Sequence, residues 1–102
     1  MKLKKGVKIM GIKPEIAFVM PIIDGVVNIY DKVEGCVITS ACDSKHGVGS
    51  RHYIGLGIDV RTRNMTEPQQ QYCATDLNDR LGEDFDVVLE KDHIHIEFDP
   101  KY

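Results

Sequence analysis

The stretch His93-Ile94-His95-Ile96-Glu97-Phe98 alternates polar and apolar side chains without a break. A period of two is the mark of a strand. It places Ile94, Ile96 and Phe98 on one face and His93, His95 and Glu97 on the other. The apolar face has to pack on a core, so the chain is committed to a sheet covered on one side, with both imidazoles aimed at a cleft on the other. Two histidines at i and i+2 on one strand stand roughly 7 Å apart, from a rise near 3.3 Å per residue. Both can ligate one metal, or one can ligate while the other acts in catalysis.

The remaining elements are read around that strand. Pro14 suits the first turn of a helix, and Glu15 complements the helix dipole there. Ile16, Val19, Met20, Ile23, Val26, Val27 and Tyr30 recur at helical spacing, with Pro21 expected to kink or split the helix. Cys36 to Ser40 reads as a short buried strand, and 41–50, with two glycines and several polar residues, as a loop. Leu56, Ile58 and Val60 alternate with Gly57, Asp59 and Arg61, a strand with Asp59 and Arg61 on its wetter face. Thr66 and Gln69 form a capping-box signal with Pro68 in the first turn, which predicts a helix from Glu67 to Leu81 stopped by Gly82. Phe85 to Glu90 and His93 to Phe98 are two strands joined at Lys91-Asp92. The expected fold is α+β: about two helices against a small antiparallel sheet of about four strands.

At 102 residues the chain is one domain, 1–102, and its 42% hydrophobic content suffices for one core. The net charge of −3 and pI near 5.7 point away from nucleic acid. Lys2, Lys4, Lys5 and Lys8 read as a solvated arm, so 1–8 is expected as a flexible or edge N-terminal segment. No apolar run is long enough for a membrane span, and no secretory signal is evident. Synthesis in the cytoplasm and a monomeric state are expected. Cys36, Cys42 and Cys73 fit no zinc-knuckle spacing and read as free thiols of a reducing compartment.

His52, Asp59 and His95 are three good zinc ligands. Two imidazoles and a carboxylate leave a fourth position for water, which marks a catalytic rather than a structural zinc. His52 and Asp59, seven residues apart, suit a loop residue and a strand residue that converge. Gly55 and Gly57 between them leave the backbone room, and Ser50 can orient the His52 imidazole. Arg61, on the face of Asp59, can hold a substrate carboxylate or form a surface ion pair. His46 can line the cleft or cap its loop.

Ser50, His52, Gly55, Gly57 and Asp59, followed by His93-Ile94-His95, resemble the signature of the Hedgehog/D-Ala-D-Ala-peptidase superfamily. These are the zinc peptidases of the M15 family and their phage relatives, with the pattern Ser-x-His-x-x-Gly-x-Ala-x-Asp and a downstream His-x-His. Gly57 replaces the usual alanine, from which a looser strand with the same packing is expected. The resemblance covers about residues 36–98. It implies Zn²⁺ held by His52, Asp59 and His95. It implies a general-base carboxylate at Asp92, with Glu90 as the other candidate, and His93 as the group that steadies the oxyanion or the attacking water.

The implied activity is hydrolysis of an amide bond in a peptidoglycan stem peptide. The enzyme would be a D,D- or L,D-carboxypeptidase or an L-Ala-D-Glu endopeptidase. The resemblance further implies a bacteriophage-type protein that reaches the periplasm or cell wall through phage-mediated release. The alternative is a non-catalytic zinc-binding module of the same fold. A third reading is a metal sensor that uses Cys42 with the histidines.

Overall fold

The computed structural model describes residues 1–41 and 56–100. Its elements run β1 (Lys2–Leu3), α1 (Pro14–Tyr30), β2 (Val37–Ser40), β3 (Gly57–Arg61), α2 (Glu67–Leu81), β4 (Phe85–Leu89) and β5 (His93–Phe98). The strands form one sheet in the order β1-β2-β3-β5-β4. This is the α+β class expected, with one strand more than the sequence suggests. Strands β2 to β5 pair antiparallel throughout, whereas β1 joins β2 in parallel and makes the sheet mixed. Lys2 and Lys4 donate their backbone N–H groups to the carbonyls of Cys36 and Ile38, at 2.8 and 2.9 Å. Part of the segment expected as a flexible or edge arm thus forms an edge strand, through backbone bonds alone.

Helix α2 has the bounds its caps dictate. The Gln69 N–H donates to Thr66 Oγ1, and the Thr66 N–H donates to Gln69 Oε1, so two otherwise orphaned donors are satisfied. Gly82 ends the helix at φ +85°, a conformation that disfavours side chains. Helix α1 runs unbroken through Pro21. A proline here removes the bond to the Ala17 carbonyl, but both residues face solvent, where water can take its place.

Ile16, Ile23 and Val27 of α1 and Leu77 of α2 pack onto Ile38, Ile58, Val60, Ile94 and Ile96 of the sheet, all fully buried. Each such side chain contributes about 2 kcal/mol of burial. Tyr30 donates its hydroxyl to Asp76 at 3.1 Å and ties the end of α1 to α2. Both helices therefore lie on one face of the sheet, and the alternation of β3 and β5 turns Asp59, Arg61, His93, His95 and Glu97 to the other. Among the described residues no helix is long and apolar enough to cross a membrane.

Candidate metal centre

Register brings the site together. β3 and β5 pair so that Asp59 stands directly across from His95 and Arg61 across from His93. Next to them β2 shifts register between Ile38 and Ser40, which sets Ser40 opposite Asp59. Such irregularities are common beside functional sites because they re-aim a side chain.

The centre of the arrangement is a chain of three groups. His95 Nδ1 lies 2.9 Å from Asp59 Oδ1, and His95 Nε2 lies 2.6 Å from Glu97 Oε1. Each ring nitrogen thus faces a carboxylate oxygen. The imidazolium is accordingly favoured, and the His95 pKa is raised to about 9, above all by the hydrogen bond to Asp59. Burial of the ring opposes this, and the Glu97 contact adds to it.

The turn between β4 and β5 supplies the second histidine. The Glu90 N–H donates to the His93 carbonyl at 2.8 Å, so Lys91 and Asp92 sit at the tip. This closure gathers Glu90, Asp92 and His93. Asp92 Oδ1 lies 2.6 Å from His93 Nδ1, and that hydrogen bond holds the Asp92 carboxyl below the usual carboxylate range. The far nitrogen, His93 Nε2, lies 3.6 Å from Asp59 Oδ2 and 3.8 Å from Glu90 Oε1. The two oxygens of Asp59 thus address the two histidines separately.

A cleft of about 390 Å³ opens here, lined by Lys4, Thr39, Ser40, Asp59, Arg61, Arg63, Asp92 and His93. Arg61 lies 3.3 Å from Glu34, which also takes Arg63 in two contacts of 3.0 and 2.9 Å. The Arg63 bonds, followed by one from Asn64, hold the Glu34 carboxyl low. Arg61 therefore lines the cleft and is ion-paired at once.

Of the residues singled out from sequence, Asp59, Arg61, Glu90, Asp92, His93 and His95 are brought together. His46, Ser50 and His52, together with Cys42, lie outside the described residues. Glu97 and Lys4 are among the participants that were not assigned a role from sequence. Glu97 had a signal, since alternation puts it on the face of His95 two residues away. Lys4 had none, because a lysine in a basic N-terminal cluster looks solvated until β1 docks.

Two of the three expected zinc ligands, Asp59 and His95, are among the described residues and stand 2.9 Å apart. In a tetrahedral site with bonds near 2.1 Å, neighbouring ligand atoms lie about 3.4 Å apart. The Asp59 oxygen and His95 Nδ1 are within about half an ångström of that spacing, and the ion would take the place of one proton. Ligating histidines characteristically give their other N–H to a carboxylate, as His95 does to Glu97. Among the described residues, the one group of three potential ligand side chains with atoms within 4.8 Å of one another is Asp86, Glu97 and Asp99, and acidic clusters of this kind are common without an ion. Comparison of the chain with family models, curated proteins and solved structures yields no match.

Proposed function

We propose that the protein is a zinc-dependent peptidase that hydrolyses an amide bond in peptidoglycan stem peptides, with Zn²⁺ held by His52, Asp59 and His95. The observation that carries the reading is the Asp59–His95–Glu97 chain. A strand carboxylate and an imidazole face each other, and the imidazole's far nitrogen is held by a further carboxylate. The substrate class rests on the resemblance of the Ser50–Asp59 and His93–His95 stretches to M15 peptidases.

When bound, zinc supplies a water acidified to a pKa near 7 and polarises the scissile carbonyl. The chain's own groups then divide the remaining work. Asp92 holds His93 by Nδ1, and this leaves Nε2 facing the site, where it can donate to the oxygen that gains charge. Glu90 has the longer side chain, and its oxygen stands on the Nε2 side of that ring. In this reading Glu90 accepts the proton of the attacking water and passes it to the leaving amine. Asp92, bonded to the other nitrogen, is the positioning residue.

Incubation of the zinc-loaded protein with purified muropeptides tests the proposal. New amines are expected, with fragment masses that name the bond cut. Activity should fall by about 10²–10⁴ in Glu90→Gln and by about tenfold in Asp92→Asn. Equal losses in both variants would return the base to Asp92 or share it. Tight zinc binding with no product across several muropeptides would mean a non-catalytic module.

A further inference from the structure

On the helical side of the molecule, α1 carries an apolar seam that nothing in the described chain covers. Phe18, Ile22, Gly25 and Ile29 follow one another at spacings of four, three and four. That spacing keeps them on one stripe. Phe18 is 82% exposed and Ile29 52%. Gly25 is the odd member. A glycine within a helix weakens it relative to alanine, and a Cβ added here would meet nothing within 4 Å. Nothing within the described fold requires a small residue at this position, whereas close approach by a second helix does.

We infer that α1 is the seam of a homodimer in which two copies pack antiparallel about a two-fold axis through the middle of the helix, in place of the monomer expected from sequence. The helix is self-complementary in this orientation. With the axis between Ile23 and Asp24, each Ile22 fills the space over the other copy's Gly25, and each Phe18 meets an Ile29. Glu15, exposed at the start of the seam, meets the exposed Lys32 just past its end. The parallel alternative sets Gly25 on Gly25, Glu15 on Glu15 and Lys32 on Lys32, which leaves a gap and repels twice.

A second feature fits the same arrangement. Beside Phe18 lies an apolar groove of about 570 Å³, lined by Pro14, Ile22, Leu81, Phe85 and Phe98 among others. The antiparallel pair brings the end of the second copy's α1 over it, where Val33, 76% exposed, is placed to enter. A two-fold contact uses the same patch on both copies and therefore closes at two.

Sedimentation equilibrium of the full chain over micromolar to submillimolar concentration tests this. A dimer is expected. Gly25→Lys should give a monomer with an unchanged circular dichroism spectrum, because its side chain has open space in a single copy. Glu15→Lys and Lys32→Glu should each weaken association about tenfold, since two symmetry-related exposed pairs turn repulsive. Together they should restore it, and this rescue remains readable if Gly25→Lys fails to fold. A wild-type monomer throughout, a dimer indifferent to these changes, or a monomer that binds lipid vesicles through Phe18 would overturn the inference. Muropeptide cleavage should survive in the monomeric variant, because the seam and the metal centre lie on opposite sides of the sheet.

Discussion

In the proposed zinc site, Glu97 would decide how His95 serves the ion. Its Oε1 lies 2.6 Å from His95 Nε2, which fixes the ring's orientation and leaves Nδ1 as the atom turned to Asp59. Glu97→Gln keeps an acceptor oxygen at that place but removes the charge that makes the ring a better donor to a cation. Zinc affinity is expected to fall about 10- to 100-fold, as for other carboxylates that support ligating histidines. Competition against a zinc-responsive fluorescent chelator measures it, and unchanged affinity would remove Glu97 from the metal centre. His95→Ala should cost far more, since it would delete one of the proposed ligands. The order of the two losses separates a supporting residue from a coordinating one.

At the scale of elements, the clearest test is the start of α2. Thr66→Ala removes the oxygen that caps the Gln69 N–H and breaks one half of the reciprocal box. Such a loss costs about 1 kcal/mol, or roughly 4–8 °C in Tm for a domain of this size. A thermal melt that does not move would show that the cap is dispensable. The cap is also why α2 was legible from sequence at both ends: its signals are local, within four residues of each boundary. β5 was legible for the same reason, because alternation is a local property. The pairing of Asp59 with His95 was not, since register is settled by contacts between stretches more than thirty residues apart. β1 was legible only as one of two options, a flexible or edge segment. Lys2 and Leu3 are exposed, and their pairing uses only backbone groups, which every sequence possesses. Pro21 misled in the other direction. It argues for a break in α1, but on a solvent-facing position the lost bond is tolerable and burial of Ile16, Val19 and Ile23 carries the helix through.

The described residues form two layers, and the space between them holds two free thiols. Cys36 leads into β2 and Cys73 lies on α2, both buried in the shared core. Burial is the main reason that each thiol is pushed up to about 12 from an ordinary value near 9. The sign of the linkage follows. The folded state resists ionisation that the unfolded chain undergoes near pH 9. The contribution of these groups is therefore fully present below that pH and is lost as pH rises from about 9 towards 12. Urea midpoints should be insensitive to thiol ionisation up to about pH 9 and decline above it. Cys36→Ala combined with Cys73→Ala should flatten that decline while lowering stability at neutral pH, because two packed side chains are shortened. The same burial predicts reactivity, since the thiolate is the nucleophile. In a Cys42→Ser background, alkylation of the native protein at neutral pH should proceed only as fast as the two layers part. Its rate should rise with urea in step with global unfolding. Rapid labelling of Cys36 or Cys73 without denaturant would show that the helices leave the sheet far more readily than this core allows.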